Sequence, residues 1–181
     1  LFETDGLPGF RLYCEICEDL WTPIPPSSRA ALGGATVIAN LSASNITTGK
    51  DEYRRSLVAN QSARCIAGYI YSAAGPGEST TDLAWDGHAM IAENGVMLAE
   101  TERFSWKPGI AVTDIDVDRL SRDRMIMTSF RGDGDVSAYR TVNLPLRVPT
   151  GRIPPVREIP RFPYVPLDPA LRGRRCSEIC E

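Results

Sequence analysis

The sequence predicts an α/β fold built on a largely buried sheet, and three observations carry that prediction. Strand-type and helix-type segments alternate through the first seventy-odd residues, in the order strand, helix, strand, helix, strand. Two of the strand-type segments, ATVIANL (Ala35–Leu41) and GYIYSAA (Gly68–Ala74), are continuous apolar runs, the pattern of strands covered on both faces. Further on, Asn94-Gly95 sits between two short apolar segments and reads as a two-residue type I′ hairpin turn.

Taken in order, Leu7–Gly9 is a turn and Phe10–Ile16 a strand that ends at Cys17. Pro23, Pro25 and Pro26 forbid a regular helix directly after Trp21. Ser27 or Ser28 then N-caps a short helix, Arg29–Leu32, which Gly33-Gly34 ends. The strand Ala35–Leu41 leads into Ser42–Gly49, a loop of small hydroxyl residues. Asp51–Ala67 is a helix, with Leu57, Val58, Cys65 and Ile66 on one side and Asp51, Glu52, Arg54 and Arg55 opening it. Gly68–Ala74 is a strand, Gly75-Pro76-Gly77 a loop, and His88–Glu93 with Val96–Thr101 a hairpin. Gly109–Val117 reads as a further strand, and Asp116 or Asp118 caps a short helix over Arg119–Met127. Arg131–Asp135, RGDGD, is an exposed turn. From Leu146 onward Pro149, Pro154, Pro155, Pro160, Pro163, Pro166 and Pro169 make an extended strap or linker, because proline supplies no ladder donor.

Composition narrows the function. The 181 residues are 43% hydrophobic, enough for a real core, and the net charge of −3 creates no field that would recruit nucleic acid or a membrane surface. No apolar run is long enough to span a bilayer and no signal pattern opens the chain, so a cytoplasmic location is expected. Five cysteines, an odd number spread along the chain, fit reduced thiols. Cys14/Cys17 and Cys176/Cys180 are too far apart in sequence for a compact zinc knuckle, so no metal is expected. Cys65 lies among core-type neighbours and reads as structural. The chain begins at Leu1 with no initiator Met, and reads as a fragment.

Cys17 is the candidate reactive atom. A strand that delivers a cysteine into a sharp turn exposes backbone N–H groups of the next turn, which favour the thiolate and can later hydrogen-bond an oxyanion. The bland alternative is a small buried hydrophobe, with Cys14 as a decoy. His88, the single histidine, stands at the start of a hairpin strand, where a structural or surface role outweighs a Cys/His partnership.

EICEDLW, the PIPP just after it and ANLSAS some twenty residues on resemble the cysteine motif of the nitrilase-like carbon–nitrogen hydrolases. WDGHAMIAENGVMLAE is similar to the hairpin of that fold. REIPRFPYVPLDP narrows the resemblance to the glutamine-hydrolysing part of glutamine-dependent NAD synthetases. The resemblance implies part of an α-β-β-α sandwich over residues 1–147, and over residues 148–181 a Pro-rich linker towards a synthetase domain outside this chain. It implies Cys17 as nucleophile and the backbone N–H of Glu18 as oxyanion donor. Glu18, Trp21, Ser44 and Lys50 become the glutamine-binding set, although a lysine at that position gives a point charge where arginine would offer a bidentate fork. It implies association into homo-oligomers, with ATP and Mg²⁺ used only by the synthetase domain and no cofactor in this segment.

The family's mechanism needs a Glu base and a Lys that precede the cysteine. Sixteen residues precede Cys17; none is lysine, and Glu3 and Glu15 stand at the wrong places. The chain alone is therefore expected to be inactive. An independent amidase or nitrilase, which RFPYVP argues against, and a non-catalytic binding remnant of the fold stay open as alternatives.

Overall fold

Apolar alternation, parallel crossovers and one tight hairpin combine into a single seven-stranded mixed sheet in the computed structural model, which describes residues 1–78, 82–130, 138–146, 148–149, 151–162, 164–166 and 168–180. The strands are β1 (Phe2–Glu3), β2 (Arg11–Ile16), β3 (Val37–Ser42), β4 (Gly68–Ala73), β5 (Ala89–Glu93), β6 (Val96–Glu100) and β7 (Val142–Asn143). Their order across the sheet is β6-β5-β4-β3-β2-β1-β7. β2, β3 and β4 run parallel, with Ile16 opposite Leu41 and Leu41 opposite Ser72, so their C-terminal ends finish level. The hairpin β5–β6 continues antiparallel from β4. Asn94 (φ 45°) and Gly95 (φ 86°) both adopt the left-handed conformation that a type I′ turn requires.

Helices α1 (Pro26–Leu32) and α2 (Lys50–Cys65) pack on one face of this sheet. Ile38, Tyr69, Tyr71, Met90 and Ala92, alternate residues of β3, β4 and β5, meet Ala31, Val58 and Cys65 there in the core. Helix α3 (Val117–Ile126) lies at the N-terminal ends of the strands. Arg124 donates to the carbonyls of Ala35 (2.6 Å), Cys65 (2.8 Å) and Ile66 (3.0 Å), closing the C-terminus of α2. Burial pushes the Cys65 thiol up to about 11 against the opposing charges of Arg124 and Arg64, which leaves it an unreactive core residue.

The structure corrects several expectations. Gly109–Val117 is not a strand: the Asp116 N–H donates to the buried Glu93 carboxylate at 2.6 Å, and Ile115 drops onto Gly68, so the segment meets the sheet through side chains and forms no ladder. The first helix is not capped by a serine. It starts with Pro26 at its first position, where a missing N–H costs nothing, and Ser27 sits inside it. Of the two candidate caps for α3, Asp116 is the one used, accepting from Arg119 N at 2.9 Å. The strand Ala35–Leu41 is covered on both faces only in its first half, for Leu41 is 63% exposed. Ile16 (68% exposed), Cys14 and Ser72 lie on that same open face. Described residues thus supply one sheet of the expected sandwich. The proline-rich tail is pinned where Arg157 meets Glu93 (2.8 Å) and Asp114 accepts from Val156 and Arg157 N–H groups. At its last proline it passes into α4 (Pro169–Cys180), an exposed helix begun by Pro169 and the Asp168 carboxylate. RGDGD lies outside the described residues. Among the described residues no helix is long and apolar enough to cross a membrane.

A Cβ on Gly68 would lie 2.7 Å from Ile115 Cδ1. Gly68→Ala is therefore expected to cost about 1–3 kcal/mol in urea unfolding, and Ile115→Ala in the same chain to return part of it. An additive pair of losses would contradict this contact.

Candidate functional site

The level C-terminal ends of β2, β3 and β4 gather the residues singled out in the sequence. Chain direction reverses at Cys17, which takes φ 50°, a left-handed conformation uncommon outside glycine, and opens a short 3-10 turn, Cys17–Trp21. Leu20 anchors this turn in the core, the Asp19 carboxylate accepts from Ile16 N–H at 2.8 Å, and Asn40 Nδ2 donates to the Cys17 carbonyl at 3.3 Å. The strain at Cys17 is thus held from both sides of the turn. The half-buried Cys17 opens onto a cleft of about 530 Å³ between the ends of β2, β3 and β4, walled by Ile16, Leu41, Ser72, Ala74 and Trp85.

Glu18, Trp21, Ser44 and Lys50 are brought together around a neighbouring cavity of about 290 Å³, joined there by Asn45, Tyr53, Arg54 and Leu57. Cys17 is not among its lining residues; Glu18, its successor in the chain, links the two spaces. The loop after β3 is held in place by Ala74 N–H to Ser42 O (2.8 Å), Ile46 N–H to Ala84 O (2.8 Å) and Trp85 Nε1–H to Ala43 O (3.2 Å). Lys50 is the first residue of α2, after the left-handed Gly49 (φ 77°), one residue earlier than the sequence suggests. Its Nζ donates to Asn45 O at 2.7 Å and Asn45 Oδ1 at 3.1 Å. Desolvation and then the Arg54 charge hold the Lys50 pKa below the usual lysine range, with Cys17 and Asp86 offsetting part of it.

Sequence reasoning missed the polar floor of this site. Arg54, read only as one of the charged residues that open the helix, is 2% exposed and pairs with Asp86 through Nη1 (2.9 and 3.2 Å). Asp86 also accepts from Arg103 Nε (2.9 Å), and Arg103 reaches Asp51 (2.5 Å). The signal was present: Arg54 stands four residues before the buried Val58 and four after Lys50, on the inward stripe of α2. Asn40 Oδ1, Ser42 Oγ, Ser44 Oγ, and Arg54 Nε and Nη2 are buried without a hydrogen-bond partner among the described residues. His88 is buried, not on the surface, its Nε2 2.6 Å from Glu100 Oε1. Glu15 is also buried, accepting from Ser27 N–H (3.0 Å) and from the Tyr69 hydroxyl. Burial first, and then Glu15, push the Tyr69 phenol well up, so it remains a donor.

Burial alone would raise the Asp86 carboxyl, but hydrogen bonds from Arg54 and Arg103 and the Arg54 charge hold it below the ordinary 3.8. The unfolded chain therefore takes up this proton at a higher pH than the native state does. Stability from Asp86 is complete above the unfolded value and is lost as pH falls through the lower folded one. Urea unfolding between pH 7 and 3 is expected to show that acid loss in the wild type and a smaller one in Asp86→Asn. The variant is expected to be about 3 kcal/mol less stable at pH 7, since it leaves the buried Arg54 cation uncompensated.

No protein-family model matches the chain. The glutamine-dependent NAD(+) synthetase of Mycobacterium tuberculosis is 49% identical over 183 residues, which cover 98% of this chain and 27% of the relative. The chain thus spans about a quarter of the length of the curated relatives it matches. Among solved structures, a carbon-nitrogen hydrolase from Helicobacter pylori superposes with a TM-score of 0.55 at 19% identity, over 71% of this chain and 47% of that one. Saccharomyces cerevisiae Nit3, a member of the nitrilase superfamily, gives 0.53 at 19% identity, over 65% and 41%. At such identities the likeness concerns the fold. By sequence the chain matches a segment of the glutamine-dependent NAD(+) synthetase family, and its fold is that of nitrilase-superfamily proteins.

Proposed function

We propose that this chain is the cysteine-bearing part of a glutamine amidohydrolase that supplies ammonia to an NAD(+) synthetase. The observation that carries the reading is the strained turn at Cys17, set beside a cavity that collects Glu18, Trp21, Ser44 and Lys50. A zwitterionic amino acid suits such a cavity: Lys50 and the Ser44 hydroxyl face its carboxylate, Glu18 its ammonium, and Trp21 walls its methylenes.

The Cys17 sulfur attacks the side-chain amide carbon of glutamine as its proton leaves to a general base. The C–N bond then breaks, the departing nitrogen takes up that proton as ammonia, and a thioester remains. Water hydrolyses the thioester to glutamate and the free thiol. The Glu18 N–H, at the start of the turn, donates to the oxyanion. The base and a second oxyanion partner are a Glu and a Lys from residues outside this chain. The ammonia is consumed in a synthetase domain that uses ATP and Mg²⁺, and the assembly is a cytoplasmic homo-oligomer.

In the full-length protein that carries this segment, Cys17→Ala is expected to lower glutamine-dependent NAD(+) formation by at least about 10³-fold while ammonia-dependent formation is retained. Equal loss with both nitrogen donors would refute the assignment. The 181-residue chain on its own is expected to release no measurable glutamate from glutamine, because base and oxyanion terms are each worth about 10²–10⁴-fold. Turnover by the isolated chain, abolished by Cys17→Ala, would show that the chain supplies its own base.

A further inference from the structure

Lys50 can offer a carboxylate only a point charge, and its ammonium is already turned onto Asn45. One helical turn on, along the same stripe of α2, Arg54 lines the same cavity. Its guanidinium is fixed from one end only. Nη1 spans both oxygens of Asp86, and Asp86 is held in turn by Arg103, itself paired with Asp51. The other two nitrogens, Nε and Nη2, form the side-on edge of the fork, the pair of parallel donors that matches a carboxylate. Both are buried and lack an acceptor among the described residues, as does the Ser44 hydroxyl on the same cavity. The Tyr71 ring, 5.7 Å from the guanidinium carbon, gives the cation a face but no acceptor for this edge.

Buried donors without acceptors are destabilising, and native structures rarely retain two on one side chain without a reason. Lys50 and Arg54 are, moreover, like charges four residues apart on one helix, an arrangement that is unfavourable until an anion lies between them. Desolvation first, and then the Arg54 charge, hold the Lys50 pKa down. Asp86 neutralises Arg54 without using the fork edge and so holds the group in orientation.

We infer that Arg54 is a specificity-determining residue of this site, its Nε–Nη2 edge receiving the α-carboxylate of the amino-acid substrate in a bidentate pair while Lys50 adds charge. The inference rests on the amidohydrolase reading above and adds to it the residue that makes the site selective for an α-amino acid over a simple amide.

The test compares glutamine with 4-aminobutanamide, the same amide with hydrogen in place of the α-carboxylate, in the full-length protein. In Arg54→Met the ratio of kcat/KM for glutamine to that for 4-aminobutanamide is expected to fall about 10- to 100-fold, through KM more than kcat. Arg54→Lys, which keeps a cation beside Asp86 but loses the fork, is expected to show a smaller fall in the same ratio. An unchanged ratio in either folded variant overturns the inference and leaves the amidohydrolase reading standing. Unfolding of both variants, followed by circular dichroism, assigns Arg54 to the fold alone and overturns it equally. Absence of glutamine hydrolysis by the wild-type protein overturns the amidohydrolase reading itself, and the inference with it.

Discussion

The carboxylate of Glu15 is the interaction on which the geometry around Cys17 depends. It lies two residues before the nucleophile candidate, on the helix-covered face of the sheet, and is sealed from solvent. One oxygen takes the N–H of Ser27 at the start of α1, and the other takes the Tyr69 hydroxyl from β4. A buried carboxylate without partners would be expensive, so this residue constrains three elements at once: the end of β2, the first turn of α1 and the start of β4. With those fixed, and with Leu20 held in the core, the chain between Ile16 and Pro26 has few ways to turn. Cys17 takes the left-handed conformation because its neighbours on both sides are already placed.

The two ends of the parallel strands are built differently. At the N-terminal ends, Arg124 closes three backbone carbonyls, Ile115 fills the space that Gly68 leaves, and Glu93 receives both the Asp116 N–H and the Arg157 guanidinium. Among the described residues, no buried side-chain nitrogen or oxygen at that end lacks a hydrogen-bond partner. At the C-terminal ends, several buried oxygens and nitrogens have no partner among the described residues, and two cavities open beside each other. Ligands of open α/β sheets gather beyond strand ends of this kind, where a helix begins and backbone and side-chain donors converge.

Charge is distributed on the same principle. The series Arg54, Asp86, Arg103 and Asp51 alternates in sign from the floor of the cavity to the surface, so each buried ion has an opposite neighbour while part of the first one stays unengaged. Such a series is weak evidence for stability, because desolvation offsets much of the Coulomb attraction. Its value lies in orientation. On the opposite face of the sheet, among the described residues, Ile16, Leu41 and Cys14 stand open to solvent.

Local chemistry in the sequence determined much of this. Apolar runs specified β3 and β4, Asn94-Gly95 specified the hairpin, the hydroxyl-rich stretch after Leu41 marked a strand-end loop, and EICEDLW marked a cysteine at a turn, because each signal is complete within a few residues. Gly109–Val117 misled because β-branched alternation describes a segment that fits a sheet surface and does not say whether a ladder partner is available. Only the tertiary structure decided that Arg54 faces inward, that Glu15 and His88 are buried, and that Glu18, Trp21, Ser44 and Lys50 share a cavity adjacent to the one at Cys17. Those facts depend on partners far away in the chain: Asp86 lies 32 residues from Arg54, and Tyr69 54 residues from Glu15. The burial of a charged side chain is set by the group that neutralises it, and a linear reading cannot see that group until the strands have been laid side by side.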